Sequence, residues 1–382
     1  MTSAGPTGTT TAPQALDAQL VAAIEQSRER TFSAHRAHLG AVAPEAEALV
    51  GVVEDYLAGG KLLRPRFCFW GGIAALGRAP EEDEVSRLAA LGTAIELVQA
   101  AALMHDDVID HSPTRRGRPA LHVEAATSHR ERGLGGSAAD FGIATAIVLG
   151  DLALSWSEQL AVEVASPSAG PRPAAAAVEF ARLRTEVMSG QYLDVLHQAG
   201  GFTSAPSEEE AALAVIRWKT VPYTVLRPVR AGAALMGAGT EALKLLSTWA
   251  VEIGTAFQLR DDLLSVVGDA DETGKPIGGD VVEGKRTVLL ARTVAAADAA
   301  GRRLLERTVG RPDAAAEDVT AVQELMVRTG AVDSVVRDVR AAAERARSIL
   351  SRAAEGGELG TLGVTGLQSI ADSATDVESI GG

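Results

Sequence analysis

Apolar residues recur at helical spacing through most of the chain, from about Leu16 to Leu350. The periodic stretches are about 20 to 35 residues long, and loops rich in glycine, proline and serine separate them, for example at 111–119 and 200–210. Stretches of this length are sufficient for helices that span a whole domain. Alternation typical of strands is nowhere sustained, so the pattern predicts about ten to thirteen helices and no internal repeat.

The two ends of the chain depart from this pattern. Residues 1–14 are small and polar, and we expect them to form a disordered tail. Residues 15–382 are expected to form one domain, because apolar residues are spread evenly along most of them and favour one large core. The order of about 25 residues at the end is not predicted, although 367–374 (LQSIADSA) favours a short helix.

Composition supports the helical interpretation. Hydrophobic residues make up 46% of the chain and aromatic residues only 4%. Alanine, leucine, glutamate and arginine lose little on entering a helix, whereas strands favour β-branched and aromatic residues. We therefore predict an all-α, single-domain fold. The net charge of −14 argues against a general nucleic-acid-binding function, which requires basic surface.

Cysteine content and the length of apolar runs bear on the compartment. The one cysteine, Cys68, allows no intramolecular disulfide, and its apolar neighbours favour a buried thiol. The first residues lack the basic start and the apolar segment of a signal peptide. Glu96 and Asp151 interrupt the longest apolar runs before they reach roughly 20 residues. We expect a cytoplasmic protein without a membrane span.

Two pairs of aspartates follow long apolar stretches. LVQAAALMHDDVID ends with Asp106, Asp107 and Asp110, and AFQLRDDLLS carries Asp261 and Asp262. Adjacent carboxylates beside an apolar wall repel each other and lose hydration, so a cation is expected between them. At i and i+4 of a helix, Asp106 and Asp110 share one face and can reach the same hard cation, for which Mg²⁺ is the expected ion. One such pair alone is as often solvated surface, but the two together predict a phosphorylated substrate.

Basic residues lie close to both acidic motifs. The segment 59–65 (GGKLLRP) places Lys61 and Arg64 three residues apart, on one side of a helical turn. A guanidinium group can grip a phosphate with two parallel hydrogen bonds, whereas an ammonium group acts as a point charge. Each cation alone is typical of protein surface, but the set is typical of diphosphate binding. Further cations follow the two acidic pairs: Arg115, Arg116 and Arg118, then Lys275, Lys285 and Arg286.

With these motifs in this order, the chain resembles the trans-isoprenyl diphosphate synthases, also called polyprenyl synthetases, and is similar to their geranylgeranyl diphosphate synthases. The resemblance implies an all-α bundle around a central cavity. It also implies that isopentenyl diphosphate is condensed with an allylic diphosphate, namely dimethylallyl, geranyl or farnesyl diphosphate. The matching motifs are GGKLLRP at 59–65, DDVID with RRG at 106–117, GQYLD at 190–194, KT at 219–220, and FQLRDD, GKPIGGD and GKRT within 257–287.

The resemblance also implies roles for individual residues. Asp106, Asp110 and Asp261 would hold about three Mg²⁺ ions, with Asp107 and Asp262 supporting them. Isopentenyl diphosphate would be bound by Lys61, Arg64, Gln99 and Arg116. The allylic diphosphate would be bound by Arg115, Lys219 and Lys275, with Thr220 and Lys285 beside them. The wall of the site would be ordered by Gln191, Asp194 and Gln258.

Three positions depart from the family pattern. Leu62 stands where an arginine is common, Gln99 where many members have histidine, and Ser265 where many have a third aspartate. These changes put affinity in doubt more than chemistry. The resemblance further implies a homodimer, with the apolar helices after Glu96 and Gly142 as candidate interface.

Product length depends on the helix before the first aspartate. Short-chain members carry a bulky aromatic residue four or five positions before it, where this chain has Ala102 and Ala101. The resemblance therefore implies a product of geranylgeranyl length or longer, with the stop supplied deeper, by residues such as Val98 or Ile95. Alternatively, the alanines only permit close helix packing. For the whole chain, the alternatives are a class I terpene cyclase and a non-catalytic subunit of a two-component prenyl synthase.

Overall fold

The computed structural model describes residues 12–166, 173–267, 278–378 and 380, and most of these residues are helical. The elements in chain order are α1 (Ala12–Gly40), α2 (Pro44–Leu57), α3 (Leu63–Leu76), α4 (Glu82–Ile109), β1 (Thr114–Arg115), β2 (Arg118–Pro119), α5 (Leu121–Glu131), α6 (Ala138–Val164), α7 (Pro173–Gln198), α8 (Glu208–Val215), a π-helical segment (Ile216–Leu226), α9 (Arg227–Leu235), α10 (Thr240–Val267), α11 (Gly279–Glu283), α12 (Val288–Ala296), α13 (Ala299–Thr308), α14 (Ala316–Arg328), α15 (Ala331–Glu355) and α16 (Thr361–Ala374).

The predicted all-α fold is confirmed. The number of helices is higher than predicted, because the described residues between α10 and α15 form short helices. Helix α1 begins at Ala12, so residues 12–14 are helical rather than part of the predicted tail, and residues 1–11 lie outside the described residues. At the other end, α16 contains 367–374, where a short helix was predicted.

Helix α4 runs through the middle of the fold and ends at the first acidic motif. Its start is fixed by a capping box, in which the side chains of Glu81 and Glu84 each accept a hydrogen bond from the other's backbone N–H. Ile95 packs in an apolar cluster with α3, α9 and α10, whereas Leu97 packs in a second cluster with α1, α2 and α6. Because α4 is buried on both sides, its last turn is held in a defined position.

Helices α3 and α9 pack with their backbones almost in contact. A Cβ atom on Gly232 of α9 would overlap the carbonyl group of Cys68 on α3, so only glycine fits there. Cys68 is completely buried, as predicted, and burial raises the pKa of its thiol above the usual value. This pair of helices places Arg64, at the start of α3, against the π-helical segment.

Two of the described helices, α4 and α6, are long and apolar enough to cross a membrane by length and composition. The apolar part of α4 is 72% buried inside the fold, which accounts for its composition. That of α6 is 28% buried, and Phe141, Ile147 and Val148 are exposed on it. An exposed apolar face of this kind is also what a contact between subunits requires, so the lack of a membrane span stays a prediction.

Candidate active site

The first acidic motif lies in the last turn of α4. The amide nitrogen of Asp110 donates to the backbone oxygen of Asp106 at 2.8 Å, which keeps the two residues one helical turn apart. Burial, together with the nearby charge of Asp106, raises the pKa of Asp110 to about 6. Such a pair disfavours two negative charges without a cation nearby.

Asp107 has different partners from its two neighbours in the motif. Its side chain is completely buried and accepts hydrogen bonds from the Tyr56 hydroxyl at 3.0 Å and from Nε of Arg115 at 2.9 Å. Arg115 was predicted to grip the allylic diphosphate, but in this structure its guanidinium group is paired with Asp107. Asp107 therefore ties the acidic motif to α2 and to the β-hairpin.

The π-helical segment brings Lys219 to the first acidic motif. Nζ of Lys219 lies 2.6 Å from Oδ2 of Asp194 and 3.8 Å from Oδ1 of Asp106, and Gln191 donates to Oδ1 of Asp106 at 2.8 Å. Burial acts to lower the pKa of Lys219, but the two carboxylates outweigh it and raise the pKa above the usual value. The ammonium group is therefore charged where a diphosphate would need it.

Glycine allows α7 and the π-helical segment to approach closely at this point. A Cβ atom on Gly190 would lie 2.5 Å from Cα of Lys219 and 2.6 Å from the carbonyl oxygen of Trp218. Real Cβ atoms essentially never approach backbone that closely. The glycine of the GQYLD motif thus sets the distance between Gln191 and Asp194 on one side and Lys219 on the other.

The second acidic motif is connected to the π-helical segment through Gln258. Its amide nitrogen donates to Oδ1 of Asp262 at 2.7 Å, and its oxygen accepts from the Thr220 hydroxyl at 2.7 Å. Burial, then the charge of Asp280, raises the pKa of Asp262 well above the usual value. Asp261, by contrast, is exposed. Asp107 and Asp262 are the buried members of their pairs, and the supporting role that the resemblance implies for them stays a prediction.

Lys285 connects the first acidic motif to the region after the second. Its Nζ lies 3.6 Å from Oδ2 of Asp110, 3.5 Å from Asp280 and 2.8 Å from Glu283. Burial acts to lower the pKa of Lys285, but the surrounding carboxylates raise it. Asp280 and Glu283 were not among the candidate residues, although Asp280 ends the GKPIGGD motif and Glu283 precedes GKRT. Lys275 belongs to 268–277 and lies outside the described residues.

A second basic pocket surrounds Arg64. Its guanidinium carbon lies 4.1 Å from the centre of the Tyr223 ring, and its Nη2 donates to the Thr224 hydroxyl at 3.0 Å. Within the described part of the chain, the buried Nε of Arg64 has no hydrogen-bond partner, so it is a donor that a ligand could use. Tyr223 also donates to Oε1 of Gln99, which leaves the amide N–H groups of Gln99 as donors.

Two left-handed residues shape the loops around this pocket. Leu62 has φ 51° just before α3, and Arg116 has φ 51° in the turn between β1 and β2. Gly117 follows with φ 73°, and two successive positive φ values are typical of a type I′ hairpin turn. A non-glycine residue at positive φ is strained and is often found at functional sites. The turn brings Nη1 of Arg116 to 3.1 Å from the carbonyl oxygen of Ala58.

The donor set around Asp106 and Asp110 fits Mg²⁺. Carboxylate oxygens are its preferred protein ligands, and Mg²⁺ usually keeps several waters and substrate phosphate oxygens in its shell. Among the described residues, no three histidine, cysteine, aspartate or glutamate side chains converge to hold an ion by themselves. Asp106 and Asp110 instead face the ammonium groups of Lys219 and Lys285. The protein would supply one or two carboxylates to each ion, and a diphosphate would supply the rest.

The candidate chain-length residues differ in their surroundings. Ala101 is completely buried in the cluster that contains Phe32 and Trp156, and Val98 is completely buried in the larger core cluster. Ala102 is only partly buried and packs against the edge of that larger cluster. Ala102 is therefore the least buried of the three candidate positions.

Ser265 makes two contacts near the end of α10. Its hydroxyl donates to the backbone oxygen of Asp262 at 2.8 Å, and its own backbone oxygen accepts from the amide of Gly278 at 2.9 Å. The second contact joins the two sides of the 268–277 segment. The serine thus fills a structural position at the end of α10.

Comparison with known proteins gives one consistent result. The family model of polyprenyl synthetases matches residues 46–326. Geranylfarnesyl diphosphate synthase of Aeropyrum pernix is 30% identical over 301 residues, which cover 77% of this chain and 84% of that protein. (2E,6E)-Farnesyl diphosphate synthase of Mycobacterium bovis is 31% identical over 270 residues, which cover 70% and 67%. The crystal structure of geranylgeranyl pyrophosphate synthase from Corynebacterium glutamicum, complexed with isoprenyl diphosphate and magnesium, superposes with a TM-score of 0.85 at 31% identity, over 94% of this chain and 99% of that one.

Proposed function

Since the chain belongs to the polyprenyl synthetase family and is a prenyltransferase, we propose that it condenses isopentenyl diphosphate head to tail with an allylic prenyl diphosphate. The proposed product is an all-trans prenyl diphosphate of geranylgeranyl length or longer. One observation carries the proposal: Lys219 and Lys285, from different parts of the chain, each lie within 4 Å of an aspartate of the first acidic motif. Two cations and two carboxylates thus lie together at the C-terminal end of α4.

The charged residues at the end of α4 suit the departure of a diphosphate. Breaking the allylic C–O bond gives a delocalised carbocation and a diphosphate that carries the bonding electron pair. Lys219 and Lys285 are charged and held in place, so they would stabilise the negative charge as it develops. Asp106, Asp110 and Asp261 are the residues that would hold Mg²⁺. When bound, Mg²⁺ would neutralise further charge on the same leaving group.

The pocket around Arg64 suits the second substrate. The unpaired Nε–H of Arg64 and the amide of Gln99 would be donors for the diphosphate of isopentenyl diphosphate, and Lys61, which is exposed in the loop before α3, is proposed as a further donor. The alkene would attack the carbocation to form the new C–C bond. Loss of a proton to the departed diphosphate would then restore a double bond. Apolar residues of α4 and α10 would keep out water, which would quench the cation.

Product analysis tests this proposal. Purified protein is incubated with isopentenyl diphosphate, farnesyl diphosphate and Mg²⁺, and the dephosphorylated products are separated by chromatography. A prenyl alcohol of twenty carbons or more is expected. A hydrocarbon formed from the allylic substrate alone would instead indicate a terpene cyclase, and no product would indicate a non-catalytic subunit.

Arg64→Ala and Lys61→Ala are expected to impair the use of isopentenyl diphosphate selectively. Losing one charge-assisted contact costs about 1.5–3 kcal/mol, so the KM for isopentenyl diphosphate should rise roughly 10- to 100-fold. The KM for the allylic diphosphate should change little, because Lys219 and Lys285 are untouched. Initial rates with each substrate varied in turn measure both values, and exposed Arg311→Ala serves as the control. An equal rise in both KM values would contradict the assignment of separate pockets.

Ala102→Phe is expected to shorten the product. Ala102 lies one turn before Asp106, and one turn rises about 5.4 Å, roughly the length of one isoprene unit. A phenyl group there would close the pocket at that depth, whereas Ala101→Phe would overpack a buried site and destabilise the fold by about 1–3 kcal/mol. Chromatography of the products from Ala102→Phe and from the exposed control Val327→Phe decides the point. An unchanged product at normal activity would refute Ala102 as a length determinant.

A homodimer is the proposed assembly. The apolar residues exposed along α6 support this proposal, since a contiguous apolar face of this kind is typical of a subunit interface. They include Phe141, Ile143, Ile147, Val148 and Val162.

A further inference from the structure

Tyr56 makes a contact that the proposed chemistry does not use. It lies in the last turn of α2, and its hydroxyl donates to Oδ2 of Asp107 at 3.0 Å. Arg115 binds the other oxygen of the same carboxylate. Asp107 is completely buried, so its charge depends on these two donors. Tyr56 remains a donor at every physiological pH, because burial and the Asp107 charge raise the pKa of its hydroxyl.

A second contact joins the same two parts of the chain. Nη1 of Arg116, the residue after Arg115, donates to the carbonyl oxygen of Ala58, two residues after Tyr56. The two contacts and the short pieces of backbone between them form a closed ring. The ring stands at the start of the loop 58–62, which carries Lys61 and contains the positive φ angles of Gly59 and Leu62. A loop in such a conformation needs external contacts to hold it.

We propose that Tyr56 is a positioning residue whose hydroxyl, acting through Asp107 and Arg115, holds the loop 58–62 in register with the first acidic motif. The role rests on the proposed function, because it concerns the distance between the two diphosphate pockets. The loop carries Lys61 of one pocket, and the motif carries Asp106 and Asp110 of the other. Lys61 is a proposed donor to the diphosphate of isopentenyl diphosphate, so a loop that is not held in place would bind that substrate more weakly, while the allylic site and the chemical step would change little.

Tyr56→Phe removes only the hydroxyl and tests this role. The KM for isopentenyl diphosphate should rise about tenfold, while the allylic KM changes less than about twofold and kcat less than about threefold. The control is Arg311→Ala, an exposed residue outside the site, which should leave all three constants unchanged. Equal increases in both KM values, or a loss of kcat alone, would overturn the role.

A double-mutant cycle separates positioning from general stabilisation. If Tyr56 acts through Asp107, adding Tyr56→Phe to Asp107→Asn should change kcat/KM for isopentenyl diphosphate by less than about twofold. A full further tenfold loss in that background would overturn the inference. If the wild-type protein does not condense its substrates at all, the proposed function fails on its own. The inference is then tested by calorimetric binding of isopentenyl diphosphate, where about tenfold weaker binding by Tyr56→Phe supports it and equal binding overturns it.

Discussion

Asp106→Ala is expected to abolish condensation while the protein stays folded. Asp106 accepts from Gln191 and lies 3.8 Å from Lys219, and it is also one of the proposed Mg²⁺ ligands. Losing one metal-binding carboxylate should cost on the order of several kcal/mol of transition-state stabilisation, which corresponds to a fall in kcat of at least about 10³-fold. Turnover with saturating substrates and Mg²⁺ measures the loss, and circular dichroism measures the fold.

The fold should survive this change because Lys219 keeps its closer partner, Asp194, at 2.6 Å. Asp261→Ala should have a comparable effect from the second motif. The matched control is Asp83→Ala, an aspartate in the first turn of the same helix, whose side chain is 80% exposed. Near-normal turnover of Asp106→Ala with Mg²⁺ would show that the metal assignment is wrong.

Gly190→Ala is expected to reduce turnover sharply without removing any functional group. The new Cβ atom would lie 2.5 Å from Cα of Lys219 and 2.6 Å from the carbonyl oxygen of Trp218, and these backbone atoms cannot rotate away. The π-helical segment must therefore move, and Lys219 would move with it, away from Asp106 and Asp194. A displacement of about 1 Å can cost roughly 10²-fold in rate.

The control for this change is another helical glycine. Gly51 in α2 has nothing within 4 Å of a built Cβ atom, so Gly51→Ala should leave turnover unchanged and stabilise the helix by about 0.5–1 kcal/mol. Thermal unfolding and initial rates measured on both variants separate the helix-propensity gain from the clash. If Gly190→Ala turned over like the wild type, the close approach of α7 and Lys219 would not matter for catalysis.

Some of the candidate site residues lie close together in the structure, and the roles proposed for them stay predictions. Asp106 and Asp110 share a helical face because a helix places i and i+4 on one side, which the sequence alone reveals. The family resemblance supplies Gln191 and Lys219. Gln191 donates to Asp106, and Nζ of Lys219 lies 3.8 Å from Oδ1 of Asp106. The fold class followed from an alanine-rich composition with helical spacing, and it required no long-range information.

Other features depend on contacts that no local pattern contains. The π-helical segment includes Pro222, and its wide turns place Lys219 and Tyr223 on the site only because α7 and α10 pack against it. Asp107 differs from Asp106 through its partners Tyr56, 51 residues before it, and Arg115, which the β-hairpin brings back to the end of α4. Asp280 could have been found from the GKPIGGD motif, but its distance to Lys285 depends on how the chain folds after α10.

We propose that one site joins two diphosphate substrates with the help of Mg²⁺. The initial rate at which radiolabelled isopentenyl diphosphate enters an extractable prenyl diphosphate, measured with each of the other components left out in turn, tests this proposal. We expect steady incorporation with farnesyl diphosphate and Mg²⁺ together, and none when either the allylic diphosphate is omitted or the metal is removed with a chelator. Incorporation that persisted without the metal, or none with all components present, would contradict it.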